Sequence, residues 1–186
     1  MKKRRTIKAN KNFVSIFKQS IVKTSARRMK VLSEDFATDV IAAIELQMYN
    51  WPALNPDYLK SKEAAGLDTR ILIATGKYMK SIKSIRTVDK DLGVIYSTGP
   101  VGKTAKGIPL TLLARWLEYG TAGREVKTED GVKRVGGMPA REHWRPTWSI
   151  FLANKAHTKK KLKEEILREF SKDIKSKNKP KVRKSK

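Results

Sequence analysis

The spacing of apolar positions changes several times along the chain, and each change marks an element. Phe13, Phe17 and Ile21 recur at four-residue steps behind Asn12, which suits the cap of a helix opening at Phe13. A second helical pattern has Ser33 as its cap, Glu34 and Asp35 in its first turn, and Phe36, Val40, Ile44 and Met48 down one face. The two form one long helix, or two with a break around Thr24 to Arg28. Trp51-Pro52 and Asn55-Pro56 end the helical third in a turn.

A short helix is expected from Asp57 through Ala65, stopped by Gly66. Gly76 interrupts the next apolar run, after which Tyr78, Met79 and Ile82 resume at helical spacing. Ile85 to Val88 and Gly93 to Ser97 alternate as two strands joined by a tight turn at Asp89 to Leu92. Thr98 to Gly107 reads as a Gly-rich loop, and Pro109 starts a helix in which Leu113, Trp116 and Leu117 share a face until Gly120. Gly123 to Gly137 alternates charge and Val around Asp130-Gly131, which predicts either a type I′ β-hairpin or a loop that orders on contact with a partner. Met138 is biased to extended backbone by Pro139, and a helical pattern opens near Pro146, a residue suited to a first turn. The last element runs from Thr147 to about Ile174, with Trp148, Phe151 and Leu152 and then Leu162, Ile166 and Phe170 in register. The expected fold is α+β: a long N-terminal helical segment, a small antiparallel sheet built from hairpins and packed against helices, a C-terminal helix, and basic disordered ends.

Charge divides the chain further. Of its 186 residues, 42 are Lys or Arg and 18 are acidic, for a net charge of +24. Residues 1–12 carry +6 and residues 157–186 carry +9, leaving +9 for everything between. This predicts a basic arm at 1–12, one domain at 13–175, and a basic tail at 176–186. A charge of this size implies a polyanionic neighbour, most simply nucleic acid, or else a surface charged for solubility. The cations expected to meet DNA or an acidic partner are Lys2, Lys3, Arg4, Arg5, Lys159, Lys160, Lys161, Lys181, Arg183 and Lys184. No apolar run approaches the roughly 20 residues that span a bilayer, so no membrane partner is expected. The basic start leads into no signal-like apolar core, and no secretion signal is expected.

Candidate chemistry is sparse. There is no cysteine, which removes disulfides and thiolate metal sites. The segment GPVGKT, from Gly99 to Thr104, resembles a phosphate-binding loop but has two residues where four must separate the first Gly from the GK pair. His143 and His157 have no partner at ligand spacing. No catalytic, metal-binding, cofactor-binding or small-molecule site is therefore expected.

The stretch from Leu112 to Trp148 holds Trp116, Trp144 and Trp148, three of the four tryptophans. In one reading these are core, Arg141 stacks on one of them, and Glu118 pairs an arginine nearby. In the other, Trp116, Glu118, Tyr119, Arg141, Trp144 and Arg145 form an interface between subunits, since Arg-aromatic patches are common anchors.

The order of segments supplies a resemblance. WPALNPDYLKSK (with Trp51, Leu54, Tyr58 and Lys62) is followed by ILIATGKYMKSI (Thr75, Gly76, Ser81, Ile82), a hairpin, ARWLEYGT (Trp116, Glu118, Tyr119, Gly120, Thr121) and MPAREHWRP (Pro139, Ala140, Arg141). Over residues 51–148 this resembles the tail-completion, or head-tail joining, proteins of tailed bacteriophages, a group that includes Mu-type virion morphogenesis proteins. The chain departs from that pattern after PAR, where Glu142-His143-Trp144 replaces the usual Pro or Phe. The resemblance implies an α+β virion subunit, made in the host cytoplasm, that assembles with itself into a ring at the neck. Its further partners would be portal, adaptor or head-closure proteins on one side, tail tube or terminator proteins on the other, and DNA passing through the channel. Two other classes compete: a basic nucleic-acid-binding protein of ribosomal or nucleoid type, and a small nuclease or other enzyme.

Overall fold

A computed structural model describes residues 11–90, 93–128, 131–155 and 158–177. The architecture is α+β, and the chain divides into two compact units: one from the residues up to Met29 together with those from Ala156 onward, the other from Lys30–Lys155.

Helix α1 (Lys11–Glu45) is continuous. Neither Gly nor Pro occurs within it, so nothing in the backbone forces a break around Thr24 to Arg28. Asn12 lies within the helix bounds, not ahead of them. Ser33 is not a cap either: its hydroxyl donates to the Ser97 carbonyl at 2.9 Å, and Thr98 Oγ1 donates to the Ser33 carbonyl at 2.9 Å. With no unpaired amide at mid-helix to satisfy, the side chain bonds a strand instead. The helix stops just before Gln47, which has φ 51° and whose side-chain amide bonds both Ile71 N and Ile71 O. Met48 therefore lies beyond the helix and is exposed, unlike Phe36, Val40 and Ile44 above it.

Within the larger unit, α2 (Pro56–Ala64) is capped by Asn55, whose side chain accepts from Asp57 N. A single turn, α3 (Lys77–Ser81), leads into β1 (Ile82–Asp89), which pairs antiparallel with β2 (Gly93–Pro100). The strands are longer than alternation suggests. Ile82, expected on a helical face, instead pairs with Pro100 and is buried as the first strand residue. Helix α4 (Leu110–Tyr119) follows Pro109, and β3 (Arg124–Thr128) with β4 (Gly131–Val135) makes a second two-stranded sheet; residues 129 and 130 lie outside the described residues. Of the two alternatives for Gly123 to Gly137, this is the hairpin. Helix α5 (Trp144–Asn154) completes the unit.

Its core is Phe36, Val40, Ile44, Ile73, Tyr78, Ile82, Leu110, Leu117 and Phe151, with Trp51 and Trp144 packed against it. Each large apolar side chain buried there contributes about 1.5–3 kcal/mol.

The segment expected as one helix from Thr147 to Ile174 is two, because α6 (Thr158–Lys177) packs with different residues. Phe151 belongs to the core of the larger unit. In the smaller unit Phe170 meets Phe17 edge-on at 4.9 Å, Ser20 donates to Asp173 at 2.7 Å, and Arg28 lies 3.8 Å from Glu165. Phe17 and Ser20 near the start of α1 meet residues 170 and 173, while Arg28 further along meets the earlier Glu165, so the two segments run antiparallel.

Candidate functional site

The residues singled out between Leu112 and Trp148 surround the start of α5, where the backbone has unpaired amides. Glu118, near the end of α4, supplies the acceptor. Its Oε2 takes the amides of His143 (2.9 Å) and Trp144 (3.0 Å), and its Oε1 takes that of Arg145 (2.9 Å). A buried carboxylate thus closes the first turn of a helix from another segment and faces the positive end of its dipole.

His143 lies at the centre, with 0% of its surface exposed. Its Nδ1–H donates to the Arg141 carbonyl at 2.8 Å, which leaves Nε2 to accept from the Tyr78 hydroxyl at 2.7 Å. The Tyr78 oxygen in turn accepts the Trp144 indole N–H at 3.1 Å. The donors and acceptors match for a neutral imidazole. Glu118 Oε2 is 3.4 Å from Nδ1, but that proton is already held at shorter range by Arg141 O. Burial holds the His143 pKa below its ordinary 6.5, outweighing the carboxylate, and pushes the Tyr78 hydroxyl upward.

Further bonds extend the network. Thr147 Oγ1 donates to His143 O and accepts from Tyr49 OH at 2.7 Å. The Trp51 indole donates to Glu142 O at 2.7 Å, and the Arg141 amide donates to Leu117 O at 2.7 Å. Tyr78 and His143 are covered, and their bonds tie the segments around residues 49, 51, 78, 118 and 141–147 together.

Two open features flank it. A cavity of about 450 Å³ is lined by Leu54, Leu72, Leu113, Leu117 and Met138, with Lys62 and Arg141 in its wall. Lys62 is 3% exposed and donates to Ile73 O (2.6 Å) and Arg70 O (2.9 Å); burial lowers its pKa, against the opposing pull of Asp68. On the outside, Tyr119 is 65% exposed with the Arg145 guanidinium 5.7 Å from its ring centre, and Trp148 is 44% exposed. These line a shallow depression with Phe36, Ala114, Arg115 and Trp144.

The six residues expected at an interface therefore divide. Tyr119 and Arg145 are exposed, Trp116 and Trp144 are half-buried, and Glu118 and Arg141 are buried within the protomer. Glu118 bonds backbone amides, where an arginine partner was one expectation, and among the described residues Arg141 has no ring contact. Trp144 meets Phe36 edge-on at 6.0 Å, while Trp148 packs one side on Phe36 and Phe151. Of the basic ends, Lys160 and Lys161 are exposed on α6, and the Lys159 side chain lies outside the described residues. Lys2, Lys3, Arg4, Arg5, Lys181, Arg183, Lys184 and His157 also lie outside the described residues.

Sequence reasoning passed over His143 as a partnerless histidine and missed the burial of Lys62. For Lys62 the signal was slight: Tyr58 lies one turn before it on α2 but is exposed, and Leu54 precedes the helix. For His143 there was none, since its ring bonds the Arg141 carbonyl and the distant Tyr78, and its amide bonds the distant Glu118. Among the described residues no cluster of three or more His, Asp or Glu could hold a metal ion. No protein-family model, curated protein or solved structure matches the chain.

Proposed function

We propose that this chain is a structural subunit of the tailed-bacteriophage neck, forming a ring that joins the portal side of the capsid to the tail around the DNA channel. The observation that carries this reading is that the segments behind the resemblance meet in one network. Trp51 bonds Glu142, Tyr78 beside the TG pair bonds His143, and Glu118 of the LEYG segment holds the amides after PAR. The exposed Tyr119 and Trp148, with Arg145, then supply the aromatic and Arg anchors that subunit contacts favour.

Light scattering coupled to gel filtration, at low and high salt, tests the reading. A ring, or a monomer that becomes one on incubation with portal or tail fractions, is expected. The paired Tyr119→Ala and Trp148→Ala replacements should leave a folded monomer. A chain that stays monomeric with those fractions yet moves strongly onto DNA would overturn it.

One observation favours the nucleic-acid reading. Lys77, Lys80 and Lys103 line a groove with Thr75, Ser81 and Gly102, so the folded unit carries basic residues gathered in one place, not at the ends alone.

A further inference from the structure

We infer that the cavity between α2, the Leu72–Gly76 segment and α4 is a docking site for an acidic, apolar segment of another protein, whose carboxylate meets Arg141 and whose apolar side chains fill the Leu-rich wall.

Arg141 is the starting point. It is 5% exposed, yet among the described residues its guanidinium donates only two long hydrogen bonds, to Pro52 O at 3.4 Å and Ala53 O at 3.5 Å, and its Nε–H has no partner. Those distances lie beyond the usual range for an N–H···O bond. A covered cation in that state is costly and gains much from a carboxylate. Lys62 adds a second covered cation in the same wall, and Lys77 an exposed one, while no acidic residue lines the cavity. Asp68, whose charge acts on Lys62, is engaged elsewhere: Arg70 holds it at 2.6 Å and brings its pKa down to about 2.

Size and polarity define the rest of the occupant. A volume of about 450 Å³ falls within the range of roughly 300–1,000 Å³ usual for ligand pockets. Leu54, Leu72, Leu113, Leu117 and Met138 offer little but apolar contact. The chain's own ends do not fit, since residues 1–12 bring six cations and no acid and residues 176–186 bring cations alone. A partner segment with a carboxylate beside Leu or Phe satisfies both parts of the wall. This rests on the cavity and does not depend on the neck reading.

The test uses the full chain and a fluorescein-labelled peptide, Glu-Leu-Phe-Asp-Leu-Glu, with Gln-Leu-Phe-Asn-Leu-Gln as its neutral counterpart and decanoate as a small competitor. Affinity is read by anisotropy at 0.15 and 0.5 M salt, and position by the methyl NMR signals of Met138, Leu113 and Leu117. Binding that persists at 0.5 M salt, shifts those methyls, and is at least about tenfold tighter for the acidic peptide is expected. Arg141→Gln should weaken it about tenfold or more, with circular dichroism reporting whether that variant folds. Ala105→Trp, at an exposed position on the cavity rim, should abolish binding without disturbing the core. No binding at millimolar peptide, binding indifferent to Ala105→Trp, or loss at 0.5 M salt without methyl shifts would overturn the inference, the last assigning the affinity to surface charge. Methyl shifts with decanoate but none with peptide would also overturn it, in favour of a small amphiphile.

Discussion

Glu118 closes the first turn of α5 although it lies 26 residues before Trp144, with its Oε2 3.0 Å from the Trp144 amide. A cap normally comes from the residue at the helix start; here that position is His143, whose side chain is bonded elsewhere and caps nothing. The consequence is that α4 and α5 cannot separate without exposing buried amides. Glu118→Ala should cost about 3 kcal/mol or more in urea denaturation, since three charge-assisted bonds are lost and covered donors remain. Glu118→Gln should cost less, because one amide oxygen still accepts. Equal stability of Glu118→Ala and wild type would remove the cap from the account.

His143 gives the fold a pH dependence of known sign. Burial lowers its pKa below 6.5 in the folded chain, so the unfolded chain binds the extra proton first. The stability associated with neutral His143 is fully present above pH 6.5 and falls as pH drops from there toward the folded-state pKa, by up to about 1.4 kcal/mol per unit. Denaturation between pH 5 and about 7 should show this slope, and His143→Gln should flatten it. An NMR signal assigned to the His143 imidazole and titrating near 6.5 in the folded chain would contradict the neutral network.

Gly120 separates two kinds of glycine. It has φ 74° and ψ −179°, a region that only glycine occupies readily, and a Cβ there would stand 2.6 Å from Met138 O and 2.9 Å from Ala140 N. Gly66 has φ 63° with open space around it. Gly66→Ala should cost about 1–2 kcal/mol, the ordinary left-handed penalty. Gly120→Ala should cost more than about 3 kcal/mol, because backbone atoms of the PAR segment must also move. Urea midpoints that rank the two the other way would refute the close approach.

These residues also show what the sequence could reveal. Local signals read correctly: the short helix expected from Asp57 is α2, which opens one residue earlier at Pro56, Pro109 precedes α4, and the alternation of Gly123 to Gly137 gives the paired strands β3 and β4. Signals that depend on distant partners did not. Ser33 has the chemistry of a cap, but an unbroken helix on both sides leaves it no amide to accept, and Thr98 bonds it instead. Trp148 and Trp116 look alike in the pattern of apolar positions. Only the packing of Phe36 and Phe151 explains why one face of Trp148 is covered and the other is not.

The groove of Lys77, Lys80 and Lys103 separates the two functional readings by salt dependence. Each phosphate neutralised by a lysine steepens the fall of log affinity with log salt by about 0.9, so three lysines gripping a duplex contribute about 2.7. A neck channel must let DNA pass, and a grip of that strength would oppose movement. The neck reading therefore expects the triple Lys77→Gln, Lys80→Gln, Lys103→Gln variant to change the slope by less than about 1, measured by anisotropy with a labelled duplex between 0.05 and 0.3 M salt. A fall near 2.7 would make the groove the main phosphate contact and favour a nucleic-acid-binding protein.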